Sequence, residues 1–117
     1  MRYILFLSSL AGLSQLIACG PDCQSTCNRL YRPADGVKYC GIARPGKSID
    51  ESISYCMTQC NSALETPGDV GEYNPNDETP RSETPELLND KQAAVWMDCV
   101  SNTSCPNLEA NYCAPIW

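Results

Sequence analysis

Apolar side chains recur with helical spacing in the first part of the chain. Four of them follow the spacing i, i+4, i+7 and i+8, which places them on one helical face: Cys23, Cys27, Leu30 and Tyr31. Pro33 and Gly36 follow and disfavour continuation of a helix. The pattern predicts a helix over about residues 22–31. A loop over residues 33–47, rich in Gly and Pro, follows it and carries Cys40.

The second predicted helix has the clearest start signal in the chain. Ser48 and Glu51 have the spacing of a capping box, in which each side chain satisfies a backbone N–H of the first turn. An apolar stripe then consists of Ile53, Cys56, Met57, Cys60 and Leu64. Because Thr66, Pro67 and Gly68 come next, we expect the helix to end just before them.

Residues 66–84 lack apolar periodicity and carry several prolines and glycines. This composition predicts an extended, acidic connector within the domain. Val70 and Tyr73 are its sizeable apolar side chains, and we expect them to hold it against the body.

Two further helices are predicted toward the C-terminus. Thr84 is the expected cap of the third, with Pro85 in its first turn, where a missing N–H costs nothing. Its apolar face comprises Ala94, Val95, Trp96, Cys99 and Val100. The fourth is expected over residues 104–112, with Cys105, Leu108 and Tyr112 on one side, and Trp117 is expected to pack against the body. The predicted fold class is therefore all-α.

Residues 1–18 have the pattern of an export signal. Arg2 precedes an apolar run that is too short for a comfortable permanent membrane span. The run ends in Leu16-Ile17-Ala18-Cys19, which matches the bacterial lipobox. We therefore predict cleavage before Cys19 and attachment of lipid to its thiol. The mature domain would span residues 19–117.

The cysteines indicate a disulfide framework. Of the nine cysteines, eight remain when Cys19 is assigned to lipid: Cys23, Cys27, Cys40, Cys56, Cys60, Cys99, Cys105 and Cys113. An even set in a small exported chain is typical of disulfides, and a core of this size is marginal alone.

Two of these disulfides follow from helical geometry. The two Cys-x3-Cys (CxxxC) pairs each lie one turn apart on a helix, so antiparallel helices bring Cys23 opposite Cys60 and Cys27 opposite Cys56. Four cysteines remain, and the spacing leaves all three of their pairings open. At least one bridge is expected to tie Cys40 to the C-terminal helices. The predicted architecture is thus a small disulfide-rich helical domain, with a helical hairpin cross-linked by the twin CxxxC pairs and a C-terminal helical pair.

Charge and residue types narrow the functional classes. Residues 65–90 hold eight acidic residues against Arg81 alone, so there is no basic patch suited to nucleic acid. The chain has no His, which excludes a Ser-His-Asp or Cys-His arrangement within it and disfavours zinc. We expect no enzyme activity, no cofactor and no metal. The remaining alternative is a surface or periplasmic module for a small ligand or calcium, with residues 69–90 as its site. Residues 74–78 there loosely resemble a calcium loop.

Several stretches resemble the CglC-type adventurous gliding motility lipoproteins of myxobacteria. They are residues 23–31, 67–73, 89–100 and 112–117. The resemblance implies an outer-membrane lipoprotein that is a structural or accessory component of the gliding machinery, held by its lipid and contacting other outer-membrane or periplasmic motility proteins. It implies no catalytic residues. Gly20 after Cys19 is consistent with outer-membrane sorting.

Overall fold

The computed structural model describes residues 20–117. Within them the chain forms four helices: α1 (Cys23–Tyr31), α2 (Ile49–Leu64), α3 (Asp90–Asn102) and α4 (Cys105–Glu109). The described part contains no β-strand and carries four disulfides, so the predicted all-α, disulfide-rich domain is confirmed. None of these helices has both the length and the apolarity needed to cross a bilayer. The predicted signal peptide and Cys19 lie outside the described residues.

Helix α1 begins at Cys23 because Asp22 caps it. The Asp22 carboxylate accepts from the Ser25 backbone N–H at 2.7 Å, and the Ser25 hydroxyl oxygen accepts from the Asp22 N–H at 3.1 Å. The backbone hydrogen bond from Ser25 lowers the pKa of Asp22. The helix ends immediately before Arg32 and Pro33. Both boundaries agree with the prediction.

Helix α2 realises half of the predicted capping box, since the Ser48 hydroxyl accepts from the Glu51 N–H at 3.1 Å. Its buried residues are Ser52, Cys56, Cys60 and Ala63. Leu64, expected on the buried stripe, is instead 41% exposed. The buried face is rotated toward Ser52 and Ala63 because two cystines fix which side of α2 meets α1.

Helix α3 starts at Asp90, so the prediction that Thr84 and Pro85 begin it was wrong. Asn89 is the cap: its side-chain oxygen accepts from the Gln92 N–H at 3.0 Å, and the Gln92 side chain accepts from the Leu88 N–H at 3.0 Å. The predicted apolar face is correct for Trp96, Cys99 and Val100. Ala94 is exposed and Met97 is buried in its place.

Helix α4 is shorter than residues 104–112. It ends at Glu109, and Asn111, two residues later, has φ 71°, the left-handed conformation that commonly ends a helix. Cys113, at φ 57°, turns the chain again. The C-terminal residues therefore leave α4 and run back over the core.

The core lies where α1, α2 and α3 pack against one another. Its largest fully buried side chains include Trp96, Tyr31, Leu30 and Leu108. The Trp96 indole N–H donates to the Pro115 carbonyl at 3.0 Å. The Trp117 ring lies edge-on to Trp96 at 5.3 Å between centroids, so the expected packing of Trp117 is confirmed.

Candidate functional site

The two Cys-x3-Cys pairs form the predicted cross-links of a helical hairpin. Cys23 is bonded to Cys60 and Cys27 to Cys56, and the Cα atoms are 5.8 Å apart in both. All four sulfur-bearing residues are buried. The disulfides therefore lie inside the α1–α2 interface, where they fix both the orientation and the register of the two helices.

The structure decides the pairing that the sequence left open. Cys40 is bonded to Cys105 and Cys99 to Cys113, with sequence separations of 65 and 14. The first ties the loop after α1 to the start of α4, as expected. The second closes α3 and the C-terminal segment into a small loop.

The four cross-links shorten the covalent routes through the domain. From Cys23 to Cys105 the route runs through residues 23–40 and one disulfide, rather than through the whole intervening chain. The remaining three disulfides close further loops. The body consequently cannot be drawn out to the length of a free chain of its size while it stays oxidised.

Arg29 joins three segments of the backbone. Its guanidinium donates to the Val100 carbonyl at 2.9 Å, to the Thr103 carbonyl at 2.7 Å and to the Lys38 carbonyl at 2.8 Å. The first two oxygens belong to the C-terminal end of α3, where a cation is favoured by the helix dipole. Sequence reasoning missed this role, because nothing in the local pattern distinguishes Arg29 from an exposed arginine.

The segment over residues 66–84 is bonded to the body along its length. The Asn89 side chain donates to the Asp69 carbonyl at 2.8 Å, and the Tyr73 hydroxyl donates to the Ala114 carbonyl at 2.6 Å. The Cys113 N–H donates to the carbonyl of the buried Pro75 at 2.7 Å. Burial raises the pKa of Tyr73. The expectation that Tyr73 holds the connector to the body is thus confirmed.

The stretch proposed as a calcium loop forms hydrogen bonds within itself. The Asn74 amide donates to the Asp77 carboxylate at 2.8 Å, and its side-chain oxygen accepts from the Asn76 N–H at 3.1 Å. Among residues 20–117, no three or more acidic or cysteine side chains are placed together so that they could hold a metal ion. Calcium binding by this stretch stays a prediction.

The C-terminal residues are held by polar contacts as well as by packing. The Tyr31 hydroxyl donates to the main-chain oxygen of Trp117 at 2.6 Å, and burial raises the pKa of Tyr31 to about 12. Arg44 donates to the main-chain oxygens of Ile116 and Trp117. Every buried side-chain nitrogen or oxygen in the described part of the chain has a hydrogen-bond partner.

One loop is organised to expose an apolar side chain, and we call residues 35–39 the tip loop. The Asp35 carboxylate accepts from the backbone N–H groups of Val37, Lys38 and Tyr39 at 2.9, 2.7 and 2.9 Å. These hydrogen bonds, chiefly the one from Tyr39, lower the pKa of Asp35 to about 2. Val37 is 89% exposed, the highest value among the large apolar residues described.

Three surface depressions on this body have similar volumes. The one of about 450 Å³ lies along the connector, between Tyr73, Glu83 and Pro85. Another, of about 440 Å³, lies between Arg44, Arg81 and Ile116, where both guanidinium groups already donate to backbone oxygens. The third, of about 390 Å³, lies between Pro21 at the start of the described chain and Val37 and Lys38 of the tip loop. The tip loop is therefore beside the N-terminal end of the domain.

Comparison with known proteins gave no relative. No protein-family model, curated protein or solved structure matched this chain. What can be inferred about function therefore comes from the motifs, from the cross-linked body and from the position of its N-terminal end.

Proposed function

We propose that the protein is an exported lipoprotein, anchored in the outer membrane through lipid on Cys19, whose folded domain is a structural accessory of gliding motility machinery. The observation that carries the anchor is the distribution of the cysteines. Four disulfides account for all eight cysteines from Cys23 onward. The ninth, Cys19, is the one that the lipobox assigns to lipid.

A structural role suits the way in which the anchor joins the body. Only three residues separate Cys19 from Cys23, which is the first residue of α1 and is bonded to Cys60. A pull transmitted from the membrane through Cys19 would reach a cross-linked residue almost at once. Because the oxidised body has short covalent routes, it would carry that pull without extending far.

The gliding assignment depends on the resemblance to CglC-type lipoproteins. In the structure, the stretches that carry the resemblance are helix α1, residues 67–73, residues 89–100 at the start of α3, and the C-terminal residues 112–117. Residues 67–73 are hydrogen-bonded to the start of α3 through Asn89. Other stretches also contact one another, for example through Trp96 and Pro115. The resemblance therefore covers residues that pack together as one unit. We propose no enzyme activity and no cofactor for this domain.

The anchor is tested on protein extracted from membranes with detergent. Intact mass spectrometry should give a chain that begins at Cys19, carries acyl mass and has lost eight hydrogens to four disulfides. Thiol titration in denaturant without reductant should find no reactive sulfhydryl. In the matched control, Cys19→Ala should abolish acylation. A soluble wild-type product without acyl mass, or one with several titratable thiols, would contradict the proposal.

The motility role is tested separately in the source bacterium. A strain lacking the chain should lose gliding of single cells, and the wild-type chain should restore it, whereas Cys19→Ala should not. A deletion strain whose isolated cells glide normally would refute the motility role and leave the anchor intact.

A further inference from the structure

We propose that the tip loop rests on the surface of the membrane in which the Cys19 lipid is anchored, with the Val37 side chain inserted among the membrane lipids. This inference depends on the proposed lipid attachment at Cys19. It adds the face that the domain turns toward the bilayer and the residue that enters it.

The first argument is the length of the tether. Four Cα–Cα steps join Cys19 to Cys23, and a fully extended chain spans about 3.3–3.6 Å per residue, so the tether reaches about 14 Å at most. A domain of this size has a radius of gyration of about 13 Å, and a sphere with that radius of gyration is about 34 Å across. The tether is therefore shorter than the body is wide, and the end of the domain nearest Pro21 must remain near the lipid headgroups.

The second argument is what lies at that end. Pro21 and Val37 border the same depression, so the tip loop stands beside the point where the chain leaves for the membrane. Its most exposed side chain is apolar, and Lys38 and Tyr39 follow it. The Lys38 ammonium lies 5.5 Å from the centre of the Tyr39 ring. An aliphatic residue followed by Lys and Tyr suits the membrane interface, because the aliphatic group enters the apolar layer while the polar ends of Lys and Tyr stay with the headgroups.

The third argument is that the loop is held in this shape. The Asp35 carboxylate is occupied by three backbone N–H groups of the loop, and Gly36, at φ 78°, makes the turn that an L side chain would strain. Cys40, which directly follows the tip loop, is bonded to Cys105. Val37 is thus presented by a preorganised loop, and little conformational entropy remains to be lost when it inserts.

The test uses the intact lipidated protein, labelled with ¹⁵N, in nanodiscs of phosphatidylethanolamine and phosphatidylglycerol. Spectra are compared with and without a lipid that carries a nitroxide near its headgroup. The amide signals of Val37 and Lys38 should lose several times more intensity than that of Leu88, which is also exposed, at 60%, but belongs to the segment before α3. Val37→Asp should abolish the extra loss at Lys38, whereas the matched control Leu88→Asp should preserve it. Both variants alter exposed residues, and an otherwise unchanged spectrum shows that they fold.

The outcomes separate the two proposals. Acylated protein whose Val37 signal is unaffected, or affected no more than Leu88, overturns the tip-loop proposal and leaves the anchor intact; that result would mean that Val37 meets a partner protein or solvent. A sample without acyl mass contradicts the anchor, and the tip-loop proposal with it. Selective broadening at Val37 and Lys38 of the acylated wild-type protein, with no extra loss at Lys38 in Val37→Asp, supports both.

Discussion

Replacement of Arg29 should be among the most damaging single changes to a charged side chain in this domain. In Arg29→Met the aliphatic stem is kept, so packing changes little. What is lost is the guanidinium that donates to the carbonyls of Val100, Thr103 and Lys38. These carbonyls then lose a charged donor at the point where α1, the loop and the end of α3 meet.

The structure sets the size of the effect. The bonds to Val100 and Thr103 are partly buried, at 2.9 and 2.7 Å, whereas the one to Lys38 is exposed. A hydrogen bond from a charged donor contributes about 1.5–3 kcal/mol. If we take the lower value for each of the two partly buried bonds, Arg29→Met should reduce the free energy of unfolding by about 3 kcal/mol. For a domain of this length that corresponds to a fall in Tm of about 12–24 °C.

Arg32→Met is the matched control, since it changes the same residue type at the end of the same helix. Arg32 is exposed and makes one side-chain bond, to Asn28 at 3.3 Å. We expect a change within about 0.5 kcal/mol. Arg29→Lys should lie between the two, because an ammonium keeps the charge but cannot reproduce the planar fork.

The assay is guanidinium unfolding of the oxidised proteins, followed by tryptophan fluorescence because Trp96 is fully buried. Thiol titration of each variant first confirms that all four disulfides have formed. If Arg29→Met and Arg32→Met unfold at the same denaturant concentration, with equal slopes, the claim that Arg29 connects the three segments is wrong.

Three further predictions follow from particular contacts. Because the pKa of Asp35 is lowered, the stabilisation from its loop hydrogen bonds is fully present above the ordinary Asp pKa near 4 and is lost as pH falls through about 2. An NMR titration of the Asp35 carboxyl carbon should show that midpoint, and amide exchange in the tip loop should be faster in Asp35→Asn at neutral pH. Replacing both Cys40 and Cys105 with Ala should lower the free energy of unfolding by about 4 kcal/mol, because their disulfide closes a loop of 65 residues. Replacing both Cys99 and Cys113 should lower it by about 3 kcal/mol, because that loop has 14 residues, and denaturant titration of the two variants should show this order. Asn111 has φ 71°, and its side-chain amide donates to the Thr79 carbonyl at 2.6 Å. Asn111→Ala should lower the free energy of unfolding by about 2 kcal/mol, and Asn111→Gly by about half of that, because Gly adopts positive φ without strain. Equal losses in thermal unfolding would mean that the backbone conformation carries no cost.

The local sequence determined the α1–α2 hairpin. Cys-x3-Cys spacing puts two thiols on one helical face, and antiparallel packing then leaves one way to pair them in register. The caps Asp22 and Ser48 act within one turn, so they require no knowledge of the rest of the fold. The lipobox is likewise a contiguous motif, so lipid attachment at Cys19 can be predicted without knowledge of the fold.

The start of α3 shows the limit of a local signal. Thr84 and Pro85 form an acceptable helix start in isolation, but Asn89 and Gln92 also form one. The second is chosen because Asn89 and Gln92 bond to the carbonyls of Asp69 and Val70, and the Asp90 N–H bonds to that of Thr66. Those partners lie about twenty residues away, so propensity alone cannot rank the two starts.

Only the tertiary structure decided the remaining disulfides, the role of Arg29 and the neighbourhood of Val37. Cys40 meets Cys105 across 65 residues of chain, and Arg29 reaches carbonyls more than seventy residues away. Spacing within one helix constrains neither, because such contacts depend on how loops bring distant segments together. The same holds for the tip loop: its composition is visible in the sequence, but its position beside Pro21 is a product of the fold.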